Sequence, residues 1–403
     1  MSQPLPSNPF IAFRGSVPAG TAAEGKDFGV AEFASRLLLG GTRRTSAARL
    51  ADRLEGIGAT LDFHNSEELL VFSGRCTRET AADTVRILVE CLSQPAFPAT
   101  EVERVRGELL NDHRIEEDDT RQRAYRELLR IVFPKDHPYG RDPKGGEERI
   151  RRIRRSDLSA FHADRVGPEG LIFAITGDVD RALVERAVAT PLARFRGEAE
   201  PVRPAVLPPY KPRHLLIDMP HKSQADIILG APAIPRRHED YYALLLVNLL
   251  FGRIGLFGRL GKNLRDELGL AYYAYSNLDA RTAAGMWSVN VGVNPSNLVR
   301  AVQEIRAELE RLRTEPFPTQ EIADGKDNQV GSLIVSLERN AEVAAELHRM
   351  EHYGLGMDFL ERYAEIIQGL TPEAVREAAV KYFAAAPSSW VIAGPTRGTK
   401  VAL

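Results

Sequence analysis

With 403 residues, the chain exceeds the ceiling of about 250 to 300 residues for a single hydrophobic core, and its 43% hydrophobic content is enough to build two. A formal charge of −2, from 53 Lys+Arg against 55 Asp+Glu, offers no field for nucleic acid or an anionic bilayer. No apolar run nears the roughly 18 residues of a membrane helix, and no basic start leads into an apolar core as an export signal requires, so a soluble, cytoplasmic protein without nucleic-acid or membrane partners is expected.

In chain order, residues 8–17 read as the first strand. Residues 29–42, GVAEFASRLLLGGT, follow as a helix. Helical spacing puts Val30, Phe33, Ala34, Leu37 and Leu38 on one face, and Gly40-Gly41 ends the helix where a left-handed backbone is needed. A second helix at 46–57 stops at Gly58, ahead of a strand at 60–63. Alternation across 68–76 marks a half-buried strand. Long amphipathic helices then cover 78–92 and 101–117, with Pro95 and Pro98 as breakers between them. Cys76 and Cys91 lie in strand-like and helix-like apolar contexts, where buried free thiols rather than a disulfide are expected. The turn His137-Pro138-Tyr139-Gly140 comes next, then the basic run 148–155, read as a solvated helix face. An apolar strand at 171–177 closes on glycine.

Proline and polar residues concentrate in 198–212, the linker candidate. Beyond it, an apolar helix at 240–251 is followed by a glycine-rich turn, a helix near 256–268, Gly269 and a strand at 270–276. Alternation across 286–293 places Trp287, Val289, Val291 and Val293 on one face. Amphipathic helices cover 297–313 and 319–337, and a short apolar strand at 390–394 again closes on glycine. The order of elements therefore repeats. From Gly41 to Gly177 is 136 positions and from Gly252 to Gly394 is 142, so one αβ unit used twice is the simplest account. The expected domains are 1–200 and 213–403, joined by 201–212. Strands grouped with helices on one side imply an α+β fold rather than a doubly wound sheet.

Several stretches carry a family likeness: GVAEFASRLLLGGT, then GTRRTSAARLADRLEGIGATLDF from Gly41, and the acidic helix ending at Glu116-Glu117-Asp118-Asp119. With the turn at His137 and RLGKNLRDELGLAY ending at Tyr272, they span nearly the whole chain. Together they resemble the pitrilysin and mitochondrial processing peptidase family of zinc endopeptidases. The resemblance implies two homologous αβ domains of the LuxS/metallohydrolase type, forming half of a clam-shell. It lays the family's HxxEH zinc helix on Glu32, Ser35 and Arg36, so both histidines are missing. The third-ligand position falls near Asn111, Asp112 and His113, with Asp112 as the degenerate counterpart. Zinc needs about three nitrogen, sulfur or carboxylate donors and an open position for water, and an arginine is not a ligand.

What the family pattern retains is Arg265, followed seven residues later by Tyr272 at the end of a Gly-Leu-Ala run. A guanidinium presents five donors in a rigid fork to a peptide carbonyl, and a phenol adds one donor to a developing oxyanion. The strand Asp62-Phe63-His64-Asn65 stands where relatives offer an edge to the substrate backbone, and main-chain pairing tolerates a change of side chains. Relatives usually open with one more strand before 8–17, so the chain reads as trimmed at its N-terminus.

These observations lead to the expectation of a non-catalytic, substrate-binding subunit of a heterodimeric zinc endopeptidase. It would carry no cofactor of its own, and zinc would belong to a homologous partner. Arg265 and Tyr272 would reach the peptide substrate held there. A non-proteolytic scaffold with the same fold is one alternative. The other is an independent metallopeptidase built on His348-Arg349-Met350-Glu351-His352, a literal HxxEH that puts His348 and His352 at i and i+4. No Gly-Thr turn follows it and a third ligand would fall past Leu403, so it reads as a chance match on a surface helix. Gly252, Gly255, Gly258 and Gly261 lack the lysine of a phosphate loop and read as a mobile turn near the substrate groove.

Overall fold

Period-two alternation becomes two sheets in the computed structural model, which describes residues 2–4, 10–25, 28–134, 137–195, 207, 209–384, 387–399 and 401. The strands are β1 (Ser2–Pro4), β2 (Phe10–Val17), β3 (Thr60–Asn65), β4 (Leu70–Thr77), β5 (Ile172–Gly177), β6 (His214–Asp218), β7 (Ala225–Ala233), β8 (Ala271–Ala280), β9 (Gly285–Val293) and β10 (Ser389–Gly394). Helices of the first half are α1 (Val30–Arg36), α2 (Ala47–Gly56), α3 (Ala81–Ser93), α4 (Ala99–Asp118), α5 (Thr120–Val132), α6 (Glu147–Arg152), α7 (Arg155–Arg165), α8 (Arg181–Leu183) and α9 (Thr190–Leu192). The second half adds α10 (Tyr241–Gly252), α11 (Ile254–Gly261), α12 (Leu298–Thr314), α13 (Thr319–Ser336), α14 (Asn340–Tyr353), α15 (Phe359–Gln368) and α16 (Pro372–Ala378). The chain is an α+β protein, and among the described residues no helix is long and apolar enough to cross a membrane.

The internal repeat holds strand by strand. One sheet has the order β1-β5-β2-β4-β3 and the other β6-β10-β7-β9-β8. In each, the first pair is parallel and the other pairs are antiparallel. This order corrects the expectation of a missing leading strand. Ser2–Pro4 pair with Ile175–Gly177, the place that β6 takes beside β10. Three residues are too few for alternation to register in the sequence.

Each sheet buries one face in the way its alternation dictates. Ile11, Phe13 and Val17 of β2 join Leu70, Phe72 and Cys76 of β4 against Val85, Leu88 and Leu92 of α3. In the second sheet, Ile227 and Leu229 join Trp287, Val289, Val291 and Val293 against Leu298, Val302 and Ile305 of α12. Each large side chain so buried contributes about 1.5–3 kcal/mol.

The other faces are covered by helices that the sequence places in the opposite half. One compact unit comprises Met1–Arg114, Arg141–Pro204 and Val335–Met357; the second comprises Ile115–Gly140, Ala205–Ile334 and Asp358–Leu403. Helix α14 thus lies on β2 and β5 of the first sheet, and α5 on β7 and β10 of the second. A cut at 201–212 separates the strands of the two sheets, but the compact units are assembled from three segments each. Residues 201–206 and 208 of that linker lie outside the described residues. Helix α5 has no counterpart in the sequence reading, although Ala124, Leu128 and Val132 carry helical spacing and Asp119 caps its first turn by accepting from Gln122 N at 2.7 Å.

Two smaller expectations are corrected. Helix α1 ends at Arg36, its last turn tightened by Leu37 N→Ala34 O (3.1 Å) and Leu38 N→Ser35 O (3.3 Å), and the left-handed residue is Gly41, at φ +118. The glycine-rich stretch read as a mobile turn contains α11, in which a Cβ at Gly258 would lie 2.6 Å from the Leu250 carbonyl.

Cys76 and Cys91 are free and buried. Burial pushes the thiols up to about 11 and about 12, respectively. Native protein at pH 8 is therefore expected to leave both unmodified by an aromatic disulfide reagent, with both reacting in guanidinium. Rapid labelling of the folded chain would contradict these cores.

Candidate functional site

Helix α1 is fixed before any of its polar residues is placed. Val30, Phe33, Ala34 and Leu37 pack with Val102, Val105 and Leu109 of α4 and with Ile150, Ile153 and Leu158. The buried Glu24 carboxyl accepts from Gly29 N (2.9 Å) and Ala31 N (2.6 Å), closing the N-terminal end. Burial drives the Glu24 pKa up to about 7, against the amide bonds that favour its charge.

With that face committed, Glu32 and Arg36 fall at i and i+4 on the flank of α1. Asp112 comes one turn after Leu109 on α4 and meets them. Arg36 Nε donates to Glu32 Oε1 at 2.7 Å, and a terminal nitrogen donates to Asp112 Oδ2 at 2.8 Å. Ser35 Oγ turns back to donate to the Glu32 carbonyl at 2.8 Å. Burial opposes the Arg36 charge, but the bonds to Asp112 and Glu32 outweigh it and hold its pKa above the ordinary value.

The four positions that the resemblance lays on a zinc site are therefore close together, and three of them, Glu32, Arg36 and Asp112, form an ion triad. A guanidinium spans the two carboxylates that a metal would need, and it has no lone pair to offer. The residues present do not fit zinc. Among the described residues, no three His, Cys, Asp or Glu side chains are grouped to hold a metal ion. His113 points instead toward Asp142, at 4.0 Å.

The HxxEH on α14 is also not the surface helix expected. His348 is buried against the first sheet, with Nε2 2.8 Å from Ser16 Oγ. Burial first, then Arg14 and the neighbouring His352, Arg349 and His64, lowers its pKa to about 3. His352 Nε2 lies 3.5 Å from Glu68 Oε2, while Glu351 is exposed. His348 is thus a neutral core histidine that holds α14 to β2.

In the second unit, the segment Lys262–Glu267 is a π-helical turn, a geometry that costs stability and recurs at functional sites. Leu264 anchors it in the core, and buried Asn263 donates to Glu308. Arg265 is left half-buried, 4.0 Å from Asp266. Gly269, at φ +60, reverses the chain into β8.

Strand β8 opens with a bulge. Ala271 is opposite Val293 and Tyr273 opposite Gly292, so Tyr272 is the extra residue. This residue is 57% exposed. The next residue, Tyr273, is tied down by donating to Asp226, which also accepts from Thr120 Oγ1 and from Gln224 Nε2 at 3.0 Å. Burial, then the charge of Asp226, pushes the Tyr273 phenol above its ordinary pKa, so it remains a donor. Asp226 and Tyr273 escaped the sequence reading. The available signal was a lone carboxyl within the apolar strand Ala225–Ala233.

Both β3 and β8 are sheet edges. Asp62-Phe63-His64-Asn65 pairs regularly with β4, without the bulge of β8.

Comparison with known proteins finds likeness to one peptidase family over most of the chain. Residues 2–140 match the family profile described as Insulinase (Peptidase family M16), and residues 152–329 the one described as Peptidase M16 inactive domain. An uncharacterized zinc protease of Mycobacterium tuberculosis is 26% identical over 331 residues, which is 81% of this chain and 75% of the relative. One from Streptomyces coelicolor is 24% identical over 380 residues, 92% of this chain and 81% of the relative. A solved peptidase M16 inactive domain from Pseudomonas fluorescens aligns with a TM-score of 0.93 at 25% identity, over 99% of this chain and 96% of that one. A protease from Helicobacter pylori gives 0.90 at 20% identity, over 98% and 96%, a likeness of fold alone.

Removing the guanidinium in Arg36→Ala leaves two carboxylates facing each other. Urea unfolding should show a loss of about 2 kcal/mol. Arg36→Lys should recover only part of it, because an ammonium lacks the fork. A fully stable Arg36→Ala would remove the triad's structural role. For His348 the folded pKa is depressed, so the unfolded chain binds the extra proton between pH 6.5 and about 3. Stability should fall on acidification below pH 6.5, by up to about 1.4 kcal/mol per unit from this group. In His348→Gln the urea midpoint should change less between pH 7 and 5. An identical pH profile would count against the buried neutral imidazole.

Proposed function

The chain belongs to the M16 peptidase family, and on that premise we propose that it is the non-catalytic, substrate-binding subunit of a zinc endopeptidase. The observation that carries this reading is the contrast between the two family sites. Where the zinc helix would act, Arg36 is bonded to both Glu32 and Asp112. Where the substrate pair would act, Tyr272 is extruded by a bulge and Arg265 is carried on a π-helical turn. A chain kept only as a scaffold has no need of irregular backbone that sets out such a pair.

In this proposal a homologous, zinc-bearing subunit supplies the metal, its activated water and the general base. This chain closes the other wall of the peptide chamber. The Arg265 fork donates to a carbonyl of the bound peptide and holds its register. Tyr272 Oη donates to the oxygen on which negative charge grows, an interaction stronger in the transition state than in the ground state. Asp226, by fixing Tyr273, keeps the bulge in place and so acts as a positioning residue. The open main-chain groups of β3 and β8 suit an extended peptide, which adds to a sheet edge as one more strand.

Mass spectrometry of what co-purifies with the native protein should identify the zinc-bearing homologue. In the reconstituted pair, Arg265→Ala should lower kcat/KM by about 100-fold and Tyr272→Phe by about 10-fold, with unchanged circular dichroism. Unaltered kcat/KM in both variants would sink the proposal. So would stoichiometric zinc with chelator-sensitive turnover in the isolated chain.

A further inference from the structure

A second site lies in the first unit, among side chains that the proposed peptidase role does not use. A cavity of about 460 Å³ is lined by Arg44, Arg53, Arg86, Arg186 and Arg194 together with Ser93. Its size is that of a small-molecule site. The arginines come from the turn before α2, from α2, from α3, from the π-helical turn Val184–Ala189, and from the residues after α9. No periodic helix face brings them together; the fold does.

Their charges are largely uncompensated. Glu90 is the carboxylate in the lining, and it is already engaged by three donors. Its Oε1 accepts from Thr42 Oγ1 (2.5 Å) and Thr45 Oγ1 (2.7 Å), and its Oε2 from Arg53 (3.0 Å). Arg86 is paired with Asp83. Arg44, Arg186 and Arg194 make no side-chain hydrogen bond or ion pair among the described residues. Asp180, which senses Arg186 at longer range, is held by Arg78 and the Leu183 amide.

Ser93 also belongs to the lining, and its buried Oγ has no hydrogen-bond partner. Of the carbonyls at the C-terminal end of α3, which would repel an anion, those of Leu92 and Gln94 are engaged. The Leu92 carbonyl accepts from His162 Nε2 at 2.7 Å and the Gln94 carbonyl from Arg43 N at 2.9 Å. Like charges gathered in one concavity repel unless a counter-charge joins them. Forked guanidinium groups match phosphate oxygens in geometry as well as charge.

We propose that this cavity binds a compact oligophosphate, with Arg44, Arg186 and Arg194 contacting its phosphate groups. The chain could meet such a group as free polyphosphate or as the tail of a nucleoside triphosphate. Calorimetric titration of the full chain with tripolyphosphate and with ATP, at constant ionic strength and with sulfate as control, tests it. Saturable binding of at least one, stronger than sulfate, is expected. It should weaken about tenfold or more in Arg186→Ala and in Arg194→Ala. Both side chains are exposed, so the unliganded melting temperatures should stay at the wild-type value. Comparable affinity for the two probes identifies the phosphate chain as the determinant, and tighter ATP binding identifies the nucleotide. Binding no stronger than sulfate overturns the proposal, and so does binding that both variants retain in full.

Discussion

Every other feature of this protein depends on one requirement of its sheets: each five-stranded sheet has two faces, and both must be covered. The apolar face is served by helices of the same half, as Val302 and Ile305 of α12 serve Trp287 and Val289. The second face is served by a helix from the opposite half of the sequence. Ala124, Leu128 and Val132 of α5 meet Ile228, Val391 and Ala393. On the first sheet, α14 is fastened by polar contacts, with Asn340 Nδ2 donating to the Phe10 carbonyl at 2.6 Å and His348 meeting Ser16. Neither half of the sequence contains both covers of its own sheet. The repeat is therefore a duplication of strands and helices, but not of self-sufficient folding units.

Within that frame, the first unit secures a short helix with one guanidinium, Arg36, bonded to Glu32 on the same helix and to Asp112 on α4. Helix α1 is only seven residues long and would not persist alone. Its apolar face, the Glu24 cap and the Arg36 bridge to α4 secure it. A zinc ion would also draw donors from α1 and α4 together, but it would leave one coordination position open for water. The guanidinium leaves none, so the bridge keeps the structural consequence of a metal without its reactivity.

The second unit keeps irregular backbone where the first is regular. Strand β3 pairs with β4 without interruption, whereas β8 gains Tyr272 as an extra residue, and the helix before it widens into a π-helical turn around Arg265. Such geometry persists only when its surroundings over-determine it. Here Leu264 in the core, Asn263 on Glu308 and Tyr273 on Asp226 do so. The chemistry proposed for Arg265 and Tyr272 thus rests on the neighbours that hold their backbone.

Local pattern was enough to read most strands, the two-fold repeat and the α+β class, because periodicity is a property of adjacent residues. Tertiary structure alone decided which half covers which sheet, since a helix's apolar stripe states that it must be buried but not against what. It also decided the fate of His348, whose HxxEH spacing is identical on a surface and in a core, and whose burial, with the charge of Arg14 next, keeps it neutral well into the acid range. The meeting of Arg36 with Asp112, 76 positions apart, and the convergence of five arginines on one cavity belong to the same class. Electrostatic pairing depends on distance through space, and a linear sequence records only distance along the chain.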